Sequence, residues 1–226
     1  MTLSRRRLLA ATSIGAATVL GFPAVSSRAL AYPETTTVGD APSAQISWRE
    51  TYNGAVVDSS DAGGGPVLDV SNAQPGDSGT VAFSVTPDTE TSIRTWFSLA
   101  VTANDENGRN EPERKAGDET PDRGELADAI KTTVWFDTGS FGVSSFGGCN
   151  GTRSPGETVV YDGSLTGAGA ALGDGVLLAD ERECLSGDEG VCVGVAWSLP
   201  ESAENRIQGD GVSTSLSFTV ESCGES

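Results

Sequence analysis

A two-residue hydrophobic rhythm recurs along this chain and constrains its fold more than any other feature. Near the C-terminus Val212, Thr214, Leu216, Phe218 and Val220 fall on one side, and Ser213, Ser215, Ser217 and Thr219 on the other. That is the pattern of a strand with one dry face and one wet face. Val191, Val193, Val195 and Trp197 repeat it, as do Phe97, Leu99, Val101 and Ala103, and Ile130, Thr132, Val134 and Phe136. Weaker candidates lie at 45–49, 80–85 and 158–161. Parallel βαβ units would need long amphipathic helices between the strands, and only short helical stretches occur, at 124–129, 165–178 and 201–206. The expected fold is therefore all-β, an antiparallel sandwich with short helices in the connections.

Charge and residue absences narrow the function. Fourteen basic residues stand against 32 acidic ones, a net charge of -18, which excludes a nucleic-acid binder. The chain has no histidine, so it carries no Ser-His-Asp triad, no Cys-His dyad and no H-E-x-x-H zinc site. Acidic residues are too abundant for any one pair to be singled out as glycosidase carboxylates. Two lysines beside twelve arginines fit a surface adapted to strong salt, where a high like charge is screened.

The first 31 residues read as an export signal. Ser4-Arg5-Arg6-Arg7 precedes an apolar run from Leu8 to Leu20 and an Ala29-Leu30-Ala31 cleavage site. That run is too short for the ~20 residues needed to cross a bilayer, so no stable membrane insertion is expected. The paired arginines match a twin-arginine signal, which addresses proteins that fold before crossing. Cleavage after Ala31 leaves 10 basic against 32 acidic residues, or -22, on a secreted or cell-surface protein. The mature chain divides into an extended segment at 32–44 and a single sandwich domain at 45–226.

In an oxidising compartment Cys149, Cys184, Cys192 and Cys223 are expected to form two disulfides, with three connectivities open. If the strands at Val191 and Val212 are neighbours, their ends bring Cys184 to Cys223 and leave Cys149 for Cys192. Asn150-Gly151-Thr152 is a glycosylation sequon. The polar insertion at 104–124 is longer than an idle loop usually is. Within it Asp105, Asn107 and Glu111 are closely spaced oxygen ligands resembling part of a calcium loop, without the full EF-hand spacing. Calcium is the only cofactor the residues suggest. The segment Gln74-Pro75-Gly76-Asp77 is a turn by composition. Trp48, Trp96, Trp135 and Trp197 are read as sheet-face or core aromatics rather than a sugar groove; alternation puts Trp96 and Trp135 opposite Phe97 and Phe136.

Several of these segments form an ordered series. Gln74-Pro75-Gly76-Asp77-Ser78-Gly79 is followed by Asn104-Asp105-Glu106-Asn107-Gly108, Glu111-Pro112-Glu113, Gly124-Glu125-Leu126-Ala127-Asp128, and Val134-Trp135-Phe136-Asp137. Val193-Gly194, Trp197-Ser198-Leu199-Pro200, Asn205, Ile207, Gln208 and Asp210 complete it. From residue 34 to 223 the chain resembles the TasA/camelysin family of secreted matrix-fibre proteins, in its haloarchaeal form. The resemblance implies a jelly-roll sandwich and a non-enzymatic subunit of an extracellular fibre or biofilm matrix. Its partners would be copies of itself and other matrix or cell-surface components. Assembly would use an N-terminal strand added to a neighbour's sheet, here carried by Thr35, Thr36, Thr37 and Val38. The alternatives are a camelysin-like metallopeptidase, which the missing histidines oppose, and a calcium-dependent adhesion module at the Asp105 loop.

Overall fold

The structure is a computed structural model and describes residues 34–39, 42–57, 68–88, 91–145, 147–178, 184–187 and 189–223. The signal segment at 1–31 lies outside the described residues, as do Tyr32, Pro33 and Asp40. Eleven strands form two antiparallel sheets among the described residues. In chain order they are β1 (Glu34–Val38), β2 (Ala44–Tyr52), β3 (Ala55–Val57), β4 (Asp69–Ser71), β5 (Ser78–Pro87) and β6 (Ile93–Asp105), then β7 (Lys131–Phe136), β8 (Val159–Ser164), β9 (Val176–Leu177), β10 (Val191–Ser198) and β11 (Gly211–Ser222). The larger sheet runs β1-β2-β5-β10-β7-β8, with β3 also on β2, and the smaller runs β4-β11-β6-β9. The chain is an all-β sandwich, and all seven alternating segments of the sequence are strands in it.

The alternation translates directly into the core. Val81, Phe83 and Val85 of β5, Val193, Val195 and Trp197 of β10, and Val134 of β7 face Ile93, Phe97 and Leu99 of β6 and Leu216 and Phe218 of β11, all of them buried. Phe83, Phe97 and Phe218 form a three-ring cluster with centroids 5.2–6.0 Å apart at tilted or edge-on angles, the geometry aromatic quadrupoles favour. Helix α3 (Leu165–Leu172) closes one side of the sandwich with Leu165, Ala168 and Leu172, its first turn capped by Ser164 Oγ, which accepts from Gly167 N–H. Short helices α1 (Glu111–Lys115) and α2 (Leu126–Ala129) occupy the long insertion, and residues 205–207 form a single 3-10 turn.

The outer face of the larger sheet is not simply wet. Trp135, Cys192 and Ala82 have the outward parity, yet they are only 1–3 % exposed. Residues 139–157 fold back over this face. Cys149 is bonded to Cys192, and an added Cβ on Gly151 would meet Ala82 Cβ at 2.8 Å. Trp135 lies opposite Gly194 in the β7–β10 pairing, where a Cβ would sit 2.5 Å or less from three atoms of the indole ring. Only glycine leaves room for the ring there.

The second disulfide joins Cys184 to Cys223, with Cα atoms 6.2 Å apart. The strands at Val191 and Val212 are not neighbours, since β10 and β11 lie in different sheets. What brings the two cysteines together is the start of β6: Leu185 bridges Ile93, and Cys223 N–H donates to the Ser92 carbonyl. The Gln74–Asp77 turn is closed by Asp77 N–H on the Gln74 carbonyl. The Asp77 carboxylate also accepts from Tyr52 Oη at 2.5 Å and from Asn53 Nδ2 at 2.9 Å.

Candidate functional site

Two places in this fold have the makings of function: a buried group of carboxylates in the 104–125 insertion, and the N-terminal strand at the sheet edge.

The insertion leaves the end of β6 and returns to β7 through α1 and α2. Asn110 caps α1 by accepting from Glu113 N–H, and the Glu113 carboxylate accepts in return from Asn110 N–H, a full capping box. This fixes Glu113 in the interior, fully buried, with Oε1 left without a partner. Beyond α1, Asp118 Oδ1 accepts from the Thr120 amide and hydroxyl, both at 2.8 Å, and its Oδ2 has none. Thr120 Oγ1 also bonds Glu125 Oε1, leaving Glu125 Oε2 unpartnered. From just before β11, the strand neighbouring β6, Asp210 Oδ2 accepts from Glu125 N–H at 2.7 Å and Leu126 N–H at 3.2 Å, and Oδ1 is left over. Four carboxylates thus each spend one oxygen on a hydrogen bond that holds them in place and keep the other free.

The fifth is Glu106, the first residue after β6. It is 3 % exposed, receives no N–H or hydroxyl donor, and is in hydrogen-bond contact with the Asp118 carboxyl. One oxygen each from Glu106, Glu125 and Asp210 lie within 4.8 Å of one another. Burial, and then the negative charges of Asp210, Asp118, Glu113 and Glu125, push the Glu106 carboxyl up to about 7. Burial likewise raises Asp210 to about 6, against the two backbone N–H bonds that favour its charged form. Asp118 goes the other way: the Thr120 amide holds its carboxyl below the usual value. Gly124 closes the packing, because a Cβ there would stand 2.9 Å from the Asp105 carbonyl and from the Asp210 carboxylate.

The insertion is the one singled out by its length, but its inward-facing acids differ from those expected. Asp105 and Asn107 are exposed, with Asn107 Nδ2 donating to the Gly209 carbonyl. Glu111 is an exposed partner of Lys115 at 2.6 Å. Their near neighbours Glu106 and Glu113 turn inward. A legible signal existed in the Asn110-x-x-Glu113 capping box before a Pro-initiated turn.

At the opposite flank, β1 pairs antiparallel with β2, Glu34 opposite Trp48 and Val38 opposite Ala44. The segment expected to serve as a donor, Thr35 to Val38, is thus an edge strand of its own sheet. Thr35 and Thr36 pair with Ser47 and Ile46, Thr37 is exposed, and Val38 packs against the core. β3 covers the other end of the same edge of β2, with Glu50 opposite Val57.

Asn150 of the sequon is half-buried, its Oδ1 accepting from Thr152 N–H at 2.6 Å. Nearby, Asp137 and Glu157 tether the covering segment through Gly151 N–H on Asp137, and Gly139 and Ser154 N–H on Glu157. Burial raises the Asp137 carboxyl to about 6, with Glu157 adding to it against the Gly151 hydrogen bond. The two disulfides fit an oxidising environment, and among the described residues no helix is long and apolar enough to cross a membrane. No family model matches the chain, and neither a curated protein nor a solved structure is similar to it.

Proposed function

We propose that this protein is an exported, non-enzymatic structural subunit that assembles into an extracellular fibre or matrix by donating its N-terminal strand to a neighbouring copy. The observation that carries the reading is the place of β1. It is five residues long, lies at a sheet edge, and is paired with β2 along its whole length. The same β2 edge on a second copy offers β1 the same register and the same main-chain bonds. Exchange between copies therefore replaces like bonds with like, and where each copy donates to the next rather than back to its own donor it propagates head to tail instead of closing on a two-fold axis. Export through the segment at 1–31, the jelly-roll connectivity implied by the TasA/camelysin resemblance, and adaptation to strong salt belong to the same proposal.

The test is deletion of residues 32–40, followed by electron microscopy and sedimentation in molar NaCl. The truncated protein is expected to fold as a monomer and form no filaments, while the mature chain polymerises. Filaments from the truncated protein, or a mature chain that stays monomeric at high concentration in molar salt, would overturn it.

A further inference from the structure

We infer that Glu106, Glu125 and Asp210, with Glu113 and Asp118 around them, form a structural binding site for a hard divalent cation, best matched by calcium, that locks the 104–125 insertion onto the start of β11.

The argument starts from desolvation. An unpaired ionised carboxylate is expensive to bury, and several packed together multiply the expense through like-charge repulsion. Glu106 is 3 % exposed and receives no N–H or hydroxyl donor. Its hydrogen-bond contact is with another acid, Asp118, and four acids surround it. The local cation, Arg109, donates Nη1 to the Asp118 backbone carbonyl and favours the Asp118 charge, but it is one positive charge beside five carboxyls. An apolar residue at position 106 would fill the space at far lower cost, and two carboxyls in contact call for a proton or a cation between them.

The oxygens suit a cation. Six carboxylate oxygens of these five residues receive no N–H or hydroxyl donor: both of Glu106 and one each of Glu113, Asp118, Glu125 and Asp210. Calcium takes six to eight oxygens at about 2.3–2.6 Å in flexible geometries. Two ligands on opposite sides of such an ion stand nearly 5 Å apart, the upper spacing of the Glu106, Glu125 and Asp210 oxygens. The supporting bonds are also those of an ion site. Thr120 holds Asp118 and Glu125, the Glu125 and Leu126 amides hold Asp210, and the capping box holds Glu113, each leaving the second oxygen for a ligand, as outer partners of metal-binding groups do. The donor set is all oxygen, and the four cysteines are tied up in disulfides, which disfavours zinc and other thiophilic metals. Magnesium demands a near-ideal octahedron and keeps its water, a poor match to five carboxylates drawn from separate loops. The residues concerned come from the end of β6, α1, the loop before α2 and the loop before β11, so the ion would join four segments.

The experiment uses the purified protein in molar NaCl, which suppresses diffuse counterion effects. After dialysis against a chelator, thermal unfolding is followed as calcium chloride is added. The midpoint should rise by about 5–10 °C at a hundredfold excess over Kd. Glu106→Gln should weaken the calcium response by about tenfold or more, while being at least as stable as the parent protein without calcium, because a neutral amide replaces a buried carboxylate. A merely structural role for Glu106 would not give that pair of results. Glu111→Gln, on the exposed face of α1, should respond as the parent does. If Glu106→Gln does not fold, the half-buried Glu125→Gln carries the same expectation of a weakened response. A parent protein indifferent to calcium, an equal response to magnesium, or a response undiminished in the foldable variant would each overturn the assignment.

Discussion

Gly194→Ala is the smallest change that tests how the outer face of the larger sheet is built. The new methyl would lie 2.5 Å or less from Cζ2, Cε2 and Cη2 of Trp135, whereas carbon atoms prefer separations of about 3.5–4.0 Å. The ring must retreat by roughly 1 Å, yet it is 1 % exposed and its strand is held in the β7–β10 register. Overpacking of this kind costs about 1–3 kcal/mol, which for a chain of this size lowers the melting temperature by roughly 2–12 °C. Urea unfolding in molar NaCl, without reductant so that both disulfides stay closed, should show a lower midpoint at an unchanged slope. Trp135→Ala alone should cost about 3–5 kcal/mol by leaving a cavity. In the double variant the methyl no longer meets a ring, so the two costs should fall short of additivity by more than about 1 kcal/mol. A neutral Gly194→Ala, or a double variant within about 0.5 kcal/mol of the sum, would refute the contact between the methyl and the ring.

Two other outcomes follow from charge. Asp137 has its folded carboxyl raised to about 6 from an ordinary 3.8, so the folded state binds that proton more tightly than the unfolded state does. Its contribution is fully present below about pH 4 and is lost as pH rises towards 6; Asp137→Asn should flatten that part of a stability-against-pH curve, and an unchanged curve would contradict the shift. The net charge of -18 opposes compaction when it is unscreened, so the unfolding midpoint should climb as NaCl goes from millimolar to molar and the Debye length shrinks to about 3 Å. A flat midpoint would leave an acidic protein with no particular tie to salt.

The strands were legible because their side chains obey one rule with few exceptions: each Val, Leu or Phe at alternate positions of β5, β6, β10 and β11 meets the other sheet. The rule stops where strands stop. Asp105 closes β6 with its side chain in solvent, and the next residue, Glu106, leaves the pleat and turns inward, so period two gives no warning of which acid is buried. Glu125 and Asp210 are 85 positions apart, yet the Glu125 amide bonds the Asp210 carboxylate, a proximity set by the pairing of β6 with β11 and invisible to local spacing. Trp135 was placed on the correct face, but its burial depends on residues 139–157 folding back, which no alternation encodes. For the cysteines, the sequence-based pairing of Cys184 with Cys223 rested on two strands being adjacent; the structure joins the same residues through the start of β6 instead.

The pairing of β6 with β11 sets when this chain can fold at all. Its ladder runs from Ile93 opposite Ser222 to Asp105 opposite Gly211, so the centre of the smaller sheet waits for residues made more than a hundred positions later. Until then β6, with Ile93, Phe97 and Leu99 on its apolar side, has only the two-residue β9 beside it in its own sheet. Closing a loop of more than a hundred residues is slow, and sheets built from such distant segments are the slow folders among small domains. A chain interrupted before Gly211 cannot assemble this half of the sandwich however long it is given, and the apolar strands of a nascent chain must stay protected from aggregation until β11 has been made.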